Sequence, residues 1–215
     1  MTVATPPRLR LPANEARASL ARPVLAVVVL GLAVGAATSV LQTYLDTPWA
    51  SLANAASPWL VPAFAVGLLW RRVTSAALAG FVVCGLELLG YYATAVARGY
   101  SASPNELRFW GACAVIAGPV LGAAGWAWRQ ESPRLRGLGA SVLVAAWLAE
   151  AAVAYAWRLH YYSTAILFAT IGLFILVGLG TYRRQHRRIV QWLALVLPIG
   201  ILAEYALGLV SHQAF

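Results

Sequence analysis

Three carboxylates stand where carboxylates are expensive. Glu87, Glu150 and Glu204 each fall inside a long apolar run, and a charge at the centre of a bilayer costs about 2.5 to 3.5 kcal/mol on insertion scales. Each is therefore expected to face protein, to carry its proton, or both. A buried carboxylic acid that keeps its proton can protonate an alkene or an epoxide, or it can load and release a proton during transport. Aromatic side chains accompany all three: Tyr91 and Tyr92 follow Glu87, Tyr155 follows Glu150, and Tyr205 follows Glu204. Tyr91 lies one helical turn after Glu87 and Trp147 one turn before Glu150, on the same helix faces. Aromatic faces stabilise a carbocation through cation–π attraction. The plainer reading is that a neutral Glu hydrogen-bonds a Tyr hydroxyl or a helix carbonyl and fixes packing alone. Glu150, set among alanines, fits that reading best.

The elements that must position these groups follow from composition. Of 215 residues, 61% are hydrophobic and 11% charged, a balance that makes lipid rather than water the main solvent. A bilayer core of about 30 Å takes about 20 apolar residues per helix, so the chain holds at most seven or eight spans and little else. Seven are expected: 25–44; 58–70, recruiting 50–57, which could instead lie along the interface; 73–95; 109–128; 138–157; 164–182; and 189–210. The fold class is all-α, an integral membrane bundle of seven transmembrane helices. The domain expectation is a basic tail over 1–23, a seven-helix domain over 24–210 and a short extracytoplasmic C-terminus over 211–215.

Charge placement orients the bundle. Arg8, Arg10, Arg17 and Arg22 precede the first span, and nine more Arg follow spans two, four and six, leaving only Arg98, Arg108 and Arg158 for the opposite loops. Arginine on short loops marks the cytoplasmic side, which predicts N-in and C-out. The localisation implied is the cytoplasmic (inner) membrane of a bacterium, with membrane lipids as partners. In that setting the net charge of +9 reflects topology and anionic headgroups, and no nucleic-acid partner is expected.

Other classes fall away. The chain has no Lys, so a Schiff-base site, retinal included, has no amine to form on. Cys84 and Cys113 lie inside apolar runs, and His160, His186 and His212 fall at span ends without ligand spacing; no metal is expected. Spans two, four and six end alike, in Gly67-Leu-Leu-Trp-Arg, Gly125-Trp-Ala-Trp-Arg and Gly180-Thr-Tyr-Arg. An aromatic followed by Arg is also the generic cytoplasmic end of a span, and this explanation ranks above duplication. Gly31-x-x-x-Gly35 and Gly118-Pro119-Val-Leu-Gly122 read as close-packing elements, and Pro62, Pro119 and Pro198 as kinks.

Since the three acid-bearing spans run outward and each Glu lies past its midpoint, the three are expected at similar depth, within reach of one cavity. Trp and Tyr concentrate toward the outer half, which points to an outward-opening aromatic pocket. Acid plus aromatic pocket is what protonation-initiated cyclisation of a prenyl chain requires. In size, span number and acid placement the chain resembles the small seven-span membrane-bound terpene cyclases that act on farnesylated natural products. That resemblance implies two intramembrane acids, here Glu87 and Glu204, one donating the proton and the other serving as hydrogen-bond partner or terminal base. It also implies a lipidic small-molecule substrate lined by Tyr91, Trp147, Tyr155 and Tyr205, with Tyr44 and Trp59 nearby, and no cofactor. The stretch from Leu41 to Trp59 is similar to a signature of uncharacterised small bacterial membrane proteins. Against the cyclase stand two alternatives. One is a transport protein, either a substrate-binding subunit or a proton-coupled carrier that loads protons on the same Glu residues. The other is a non-catalytic scaffold.

Overall fold

The computed structural model describes the backbone of residues 13–214 and the side chains of residues 21–210. The expected tail arginines Arg8, Arg10 and Arg17, His212 and the terminal stretch 211–215 lie outside the described side chains. Among the described residues eight α-helices run in order: α1 Ala13–Tyr44, α2 Ala50–Ala53, α3 Ala56–Gly67, α4 Val73–Ala97, α5 Pro104–Arg129, α6 Leu138–Glu150, α7 Tyr162–Arg183 and α8 His186–Ala214. A π-helical segment, Ala151–Arg158, continues α6. Six of these units are long and apolar enough to cross a membrane, and α3 is a shorter apolar helix. The chain is a multi-pass membrane protein.

The second expected span is the one that differs. Residues 50–70 form a one-turn helix and then a 12-residue one, and 12 residues rise about 18 Å, well short of a bilayer core of about 30 Å. The break is local. Asn54 closes α2 by donating its N–H to the Ser51 carbonyl, and Ala55 is extended at φ −136° and ψ 158°. Helix α3 then restarts on amides that a distant side chain satisfies, as described below.

A seam of glycines sets how closely the helices approach. A Cβ built on Gly35 of α1 would lie 2.0 Å from the Glu87 carbonyl oxygen of α4, and one on Gly31 would lie 2.7 Å from Leu86 Cβ. Between α4 and α5, a Cβ on Gly80 would lie 2.1 Å from the Gly118 carbonyl, and one on Gly122 2.2 Å from that of Ala76. The seam continues through Gly67 of α3 against Gly122 and through Gly139 of α6 against Ala124. Only hydrogen fits at such approaches, and they let packing and dispersion hold helices that lipid itself gives no reason to associate. Helix α6 sits centrally, burying Ala140, Leu143, Val144, Ala145 and Trp147. Helix α8 lies on the outside, with Leu195, Ile199 and Leu202 each more than 60% exposed.

Arginines close the helix ends. At the arginine-rich end Arg129 donates to the Leu68 carbonyl and Arg136 to the carbonyls of Arg183 (3.5 Å) and Arg184 (3.2 Å), meeting acceptors that the ends of α3 and α7 leave open. The Trp126 indole donates to the Arg71 carbonyl at 3.0 Å. At the opposite end Arg98 reaches the Ser39 carbonyl and, at 2.8 Å, Thr43 Oγ1, tying α4 to α1.

Candidate functional site: intramembrane carboxylates

Glu150 ends α6, and its carboxylate is spent on α3. Its Oε1 accepts the Ala56 N–H at 2.9 Å and its Oε2 the Ser57 N–H at 2.7 Å. These are the first two residues of α3, and the third, Pro58, has no N–H to satisfy. One carboxylate thus meets both N–H groups ahead of the proline, at the helix end where the dipole favours negative charge. Glu150 is 5% exposed. Counted along α6 from Leu138, it lies about 18 Å from the arginine-rich end, matching the rise of α3 from its own end at Gly67. The start of α3 is therefore held inside the apolar layer, a position open to broken helices only where protein satisfies the backbone.

Glu204 lies near this junction. It is half-buried on α8, within electrostatic reach of Glu150 and of Arg158, the last residue of the π segment. The Arg158 guanidinium rests against α8 one turn further along, donating to the Gly208 carbonyl at 3.4 Å. A Cβ at position 208 would lie 2.2 Å from Arg158 Nη1, so glycine makes room for that side chain. Beside it Trp157 stacks on Tyr205, centroids 5.5 Å apart. Tyr155 is buried and lies within electrostatic reach of Glu150, Glu204 and the Ser51 side chain. It packs on Phe168 at 4.7 Å, which in turn meets Trp147 at 5.1 Å. A π segment frees backbone from the regular ladder and recurs at functional sites; here it begins at the residue after Glu150.

Glu87 occupies a different place. It is fully buried on α4, and neither carboxylate oxygen has a hydrogen-bond partner among the described residues. Its electrostatic neighbour is the thiol of Cys84, one turn earlier on the same helix. An unpaired, desolvated carboxyl group is tolerated as the neutral acid and not as the anion. One turn beyond it, the Tyr91 hydroxyl exchanges hydrogen bonds with Gln42 of α1 at 2.8 and 3.0 Å. The Tyr91 ring meets Trp59 of α3 at 5.5 Å and Tyr92 at 5.1 Å.

Of the nine residues expected at the site, the structure gathers Glu150, Glu204, Tyr155 and Tyr205 around one junction, with Trp147 behind Phe168. Glu87, Tyr91 and Trp59 form a second group, and Tyr44 is 76% exposed at the end of α1. Sequence reasoning missed Ser51, Arg158, Gln42 and Gly208. Arg158 carried a usable signal, since it is a lone cation beside an acid-bearing outer half. The two clearest surface hollows lie elsewhere, one lined by α1 and α3 and one by α8 and the loop before α6. Among the described residues no three His, Cys, Asp or Glu side chains are placed to hold a metal ion.

Fold and site together define an all-helical, multi-pass membrane protein with buried carboxylates and one helix that starts within the apolar layer. Residues 14–212 match a family described as "Family of unknown function (DUF6518)", and the chain belongs to it. No curated protein and no solved structure matches the chain.

Proposed function

We propose that this chain is a proton-linked carrier of a small solute in the bacterial cytoplasmic membrane, oriented N-in, with Glu204 and Glu150 as its proton-responsive pair. One observation carries the reading: the carboxylate that holds the internal start of α3 lies within electrostatic reach of a second, half-buried carboxylate flanked by an arginine. A carrier needs an element with two arrangements and a proton that biases them. Here α3 is the element. With Glu204 ionised, Arg158 is shared between it and the Gly208 carbonyl, and Glu150 feels a like charge. A proton on Glu204 removes that repulsion and frees Arg158, which changes how strongly Glu150 grips the amides of Ala56 and Ser57. Broken helices at mid-membrane are where many secondary transporters bind solute and ion.

The test is reconstitution into vesicles holding a pH-sensitive dye, challenged with a panel of amino acids, carboxylates, sugars and nucleosides under an imposed pH gradient. Solute-dependent proton entry is expected from wild type and loss of it from Glu204→Gln, with the helical content unchanged. Equal coupling in Glu204→Gln would overturn the assignment.

The terpene-cyclase reading has its own support, the neutral acid Glu87 beside the Trp59–Tyr91–Tyr92 aromatic group. There the acid would add its proton to a terminal alkene, and a later cation would return a proton to a base, leaving an isomer of the substrate. Membranes in heavy water given linear farnesylated compounds would then yield a cyclic isomer carrying one deuterium, absent with Glu87→Gln. That product would replace the carrier reading.

A further inference from the structure

At the arginine-rich end, the loop between α5 and α6 and the first turns of α8 enclose a groove of about 310 Å³ lined by Pro133, Arg134, Arg188, Gln191, Trp192 and Leu195. The groove carries two guanidinium groups and an amide, with Arg188 Nη1 donating to Gln191 Oε1 at 3.4 Å, beside a half-buried indole and an exposed leucine. Arg134 is exposed and makes no hydrogen bond among the described residues. The loop between α5 and α6 and the junction of α7 and α8 also carry Arg136, Arg183, Arg184 and Arg187, with Glu131 the acid of that loop.

The groove does not end at Leu195. From Arg188 the residues Trp192, Leu195, Ile199 and Leu202 follow at spacings of four, three, four and three, which places them on one face of α8. The last three are exposed by 63, 65 and 67%. The same face therefore runs from paired arginines, through an interfacial tryptophan, to an unbroken aliphatic strip along a helix whose apolar span is only 6% buried in the protein. A ligand that matches this order has an anionic phosphate at one end and a hydrocarbon chain at the other.

We infer that this groove is a binding site for one anionic phospholipid, its phosphodiester held between Arg134 and Arg188 and an acyl chain laid along Leu195, Ile199 and Leu202. Guanidinium groups suit this task because their forked donors match phosphate oxygens in pairs. The orientation also fits, since basic pockets between membrane helices on the cytoplasmic side take anionic headgroups. Because α8 carries Glu204 and Gly208 further along, an occupied site would steady the helix on which the half-buried acid sits.

The experiment is native mass spectrometry of the full chain released from detergent, titrated with phosphatidylglycerol, with phosphatidylcholine and, separately, with inorganic phosphate. One phosphatidylglycerol per chain is expected, retained at least tenfold more tightly than phosphatidylcholine. Arg134→Gln/Arg188→Gln should bind it about thirtyfold more weakly, the effect of two arginines at a membrane surface. Arg71→Gln/Arg72→Gln, which removes equal charge at the same end, should bind it as wild type does. Leu195→Ser/Ile199→Ser should weaken lipid retention and leave any phosphate adduct unchanged. If both arginine pairs lose lipid equally, diffuse charge and not a site explains binding, and the inference fails. It fails as well if inorganic phosphate binds and phosphatidylglycerol shows no preference, since the groove would then be a free-anion site. Arg134→Lys/Arg188→Lys, which keeps charge but not the fork, should recover part of the lost affinity and shows that the groove is intact.

Discussion

The two halves of this bundle solve opposite problems. In the half built from α1, α3, α4 and α5, glycine brings backbones into contact and few charged groups are buried. Glu87 sits there dry and alone. In the half built from α6, the π segment and α8, charges work on their neighbours: Glu150 on the amides of α3, Arg158 on the Gly208 carbonyl of α8, and Glu204 within electrostatic reach of both. A Cβ on Gly200 of α8 would meet Ala145 and Ala149 of α6 at an ordinary 3.4 Å, against 2.0 to 2.7 Å in the glycine seam. The first half is shaped to be rigid. The second holds its parts by interactions between charged groups and backbone, which under the proposed carrier role a proton on Glu204 would switch.

The sharpest way to break this contrast is to add one side chain to each half. Gly122→Val drives a side chain against the Ala76 carbonyl on a helix that also receives Gly67 and Gly80. Backbones must separate, and the cost is expected at about 3 kcal/mol or more, at or beyond the usual range for overpacking. Gly200→Ala should change stability by no more than about 0.5 kcal/mol, because its methyl finds room. Unfolding in mixed micelles measures both. Similar losses at the two sites would mean the halves do not differ in tightness.

Next in size is the cap of α3. Glu150→Ala leaves the N–H groups of Ala56 and Ser57 buried without acceptors, at about 1 to 3 kcal/mol each before relaxation. A net loss of about 2 to 4 kcal/mol is expected. Glu150→Gln keeps one acceptor oxygen and should lose about half as much. If alanine proves harmless, the start of α3 reaches water, and its position inside the apolar layer is wrong.

Glu87 should behave in the reverse sense. With no hydrogen-bond partner to forfeit, Glu87→Leu replaces a desolvated polar group by an apolar one of similar size. Stability should hold or rise by about 1 kcal/mol. A fall of more than 2 kcal/mol would reveal a partner and make the two halves alike. The outcome also separates roles, since a loss of turnover without loss of stability marks a chemical use for the acid.

How much of this was legible beforehand depends on the range of the interaction. Six long spans stood out because an apolar run of 18 or more residues has few other physical readings, and their ends moved by only a few residues. The spacings Gly31-x-x-x-Gly35 and Gly118 to Gly122 announced close packing because that signal is local. The break at Asn54–Ala55 was not legible. Nothing near it in sequence forces it; the reason for it is a carboxylate more than ninety positions away. The π segment after Glu150 carries no sequence signal, and its composition reads as ordinary helix. For the site, the three acids and their aromatic neighbours were visible by type, since intramembrane charge is conspicuous. Their grouping was not, because the orientation of a Glu on a uniformly apolar helix leaves no periodic trace. The resemblance to the membrane-bound cyclases pairs Glu87 with Glu204, whereas in space Glu204 lies within electrostatic reach of Glu150.

The smallest expected effect tests whether the halves communicate. Tyr91 follows Glu87 by one turn, touches Trp59 in the first turn of α3, and so stands between the dry acid and the amides that Glu150 holds. Tyr91→Phe keeps the ring against Trp59 and removes only the exchange with Gln42, worth about 0.6 kcal/mol for a typical hydrogen bond between membrane helices. If the halves are independent, Tyr91→Phe and Glu150→Gln should add within about 0.3 to 0.5 kcal/mol in a double-mutant cycle. If a cap on α3 is felt at Tyr91 through Trp59, the coupling exceeds that margin. Additive losses would confine proton-dependent change to the α6–α8 side and leave Glu87 a bystander to it. Coupling would make α3 the element shared by both acids, and the division between a rigid and a switchable half would have to be drawn through that helix rather than beside it.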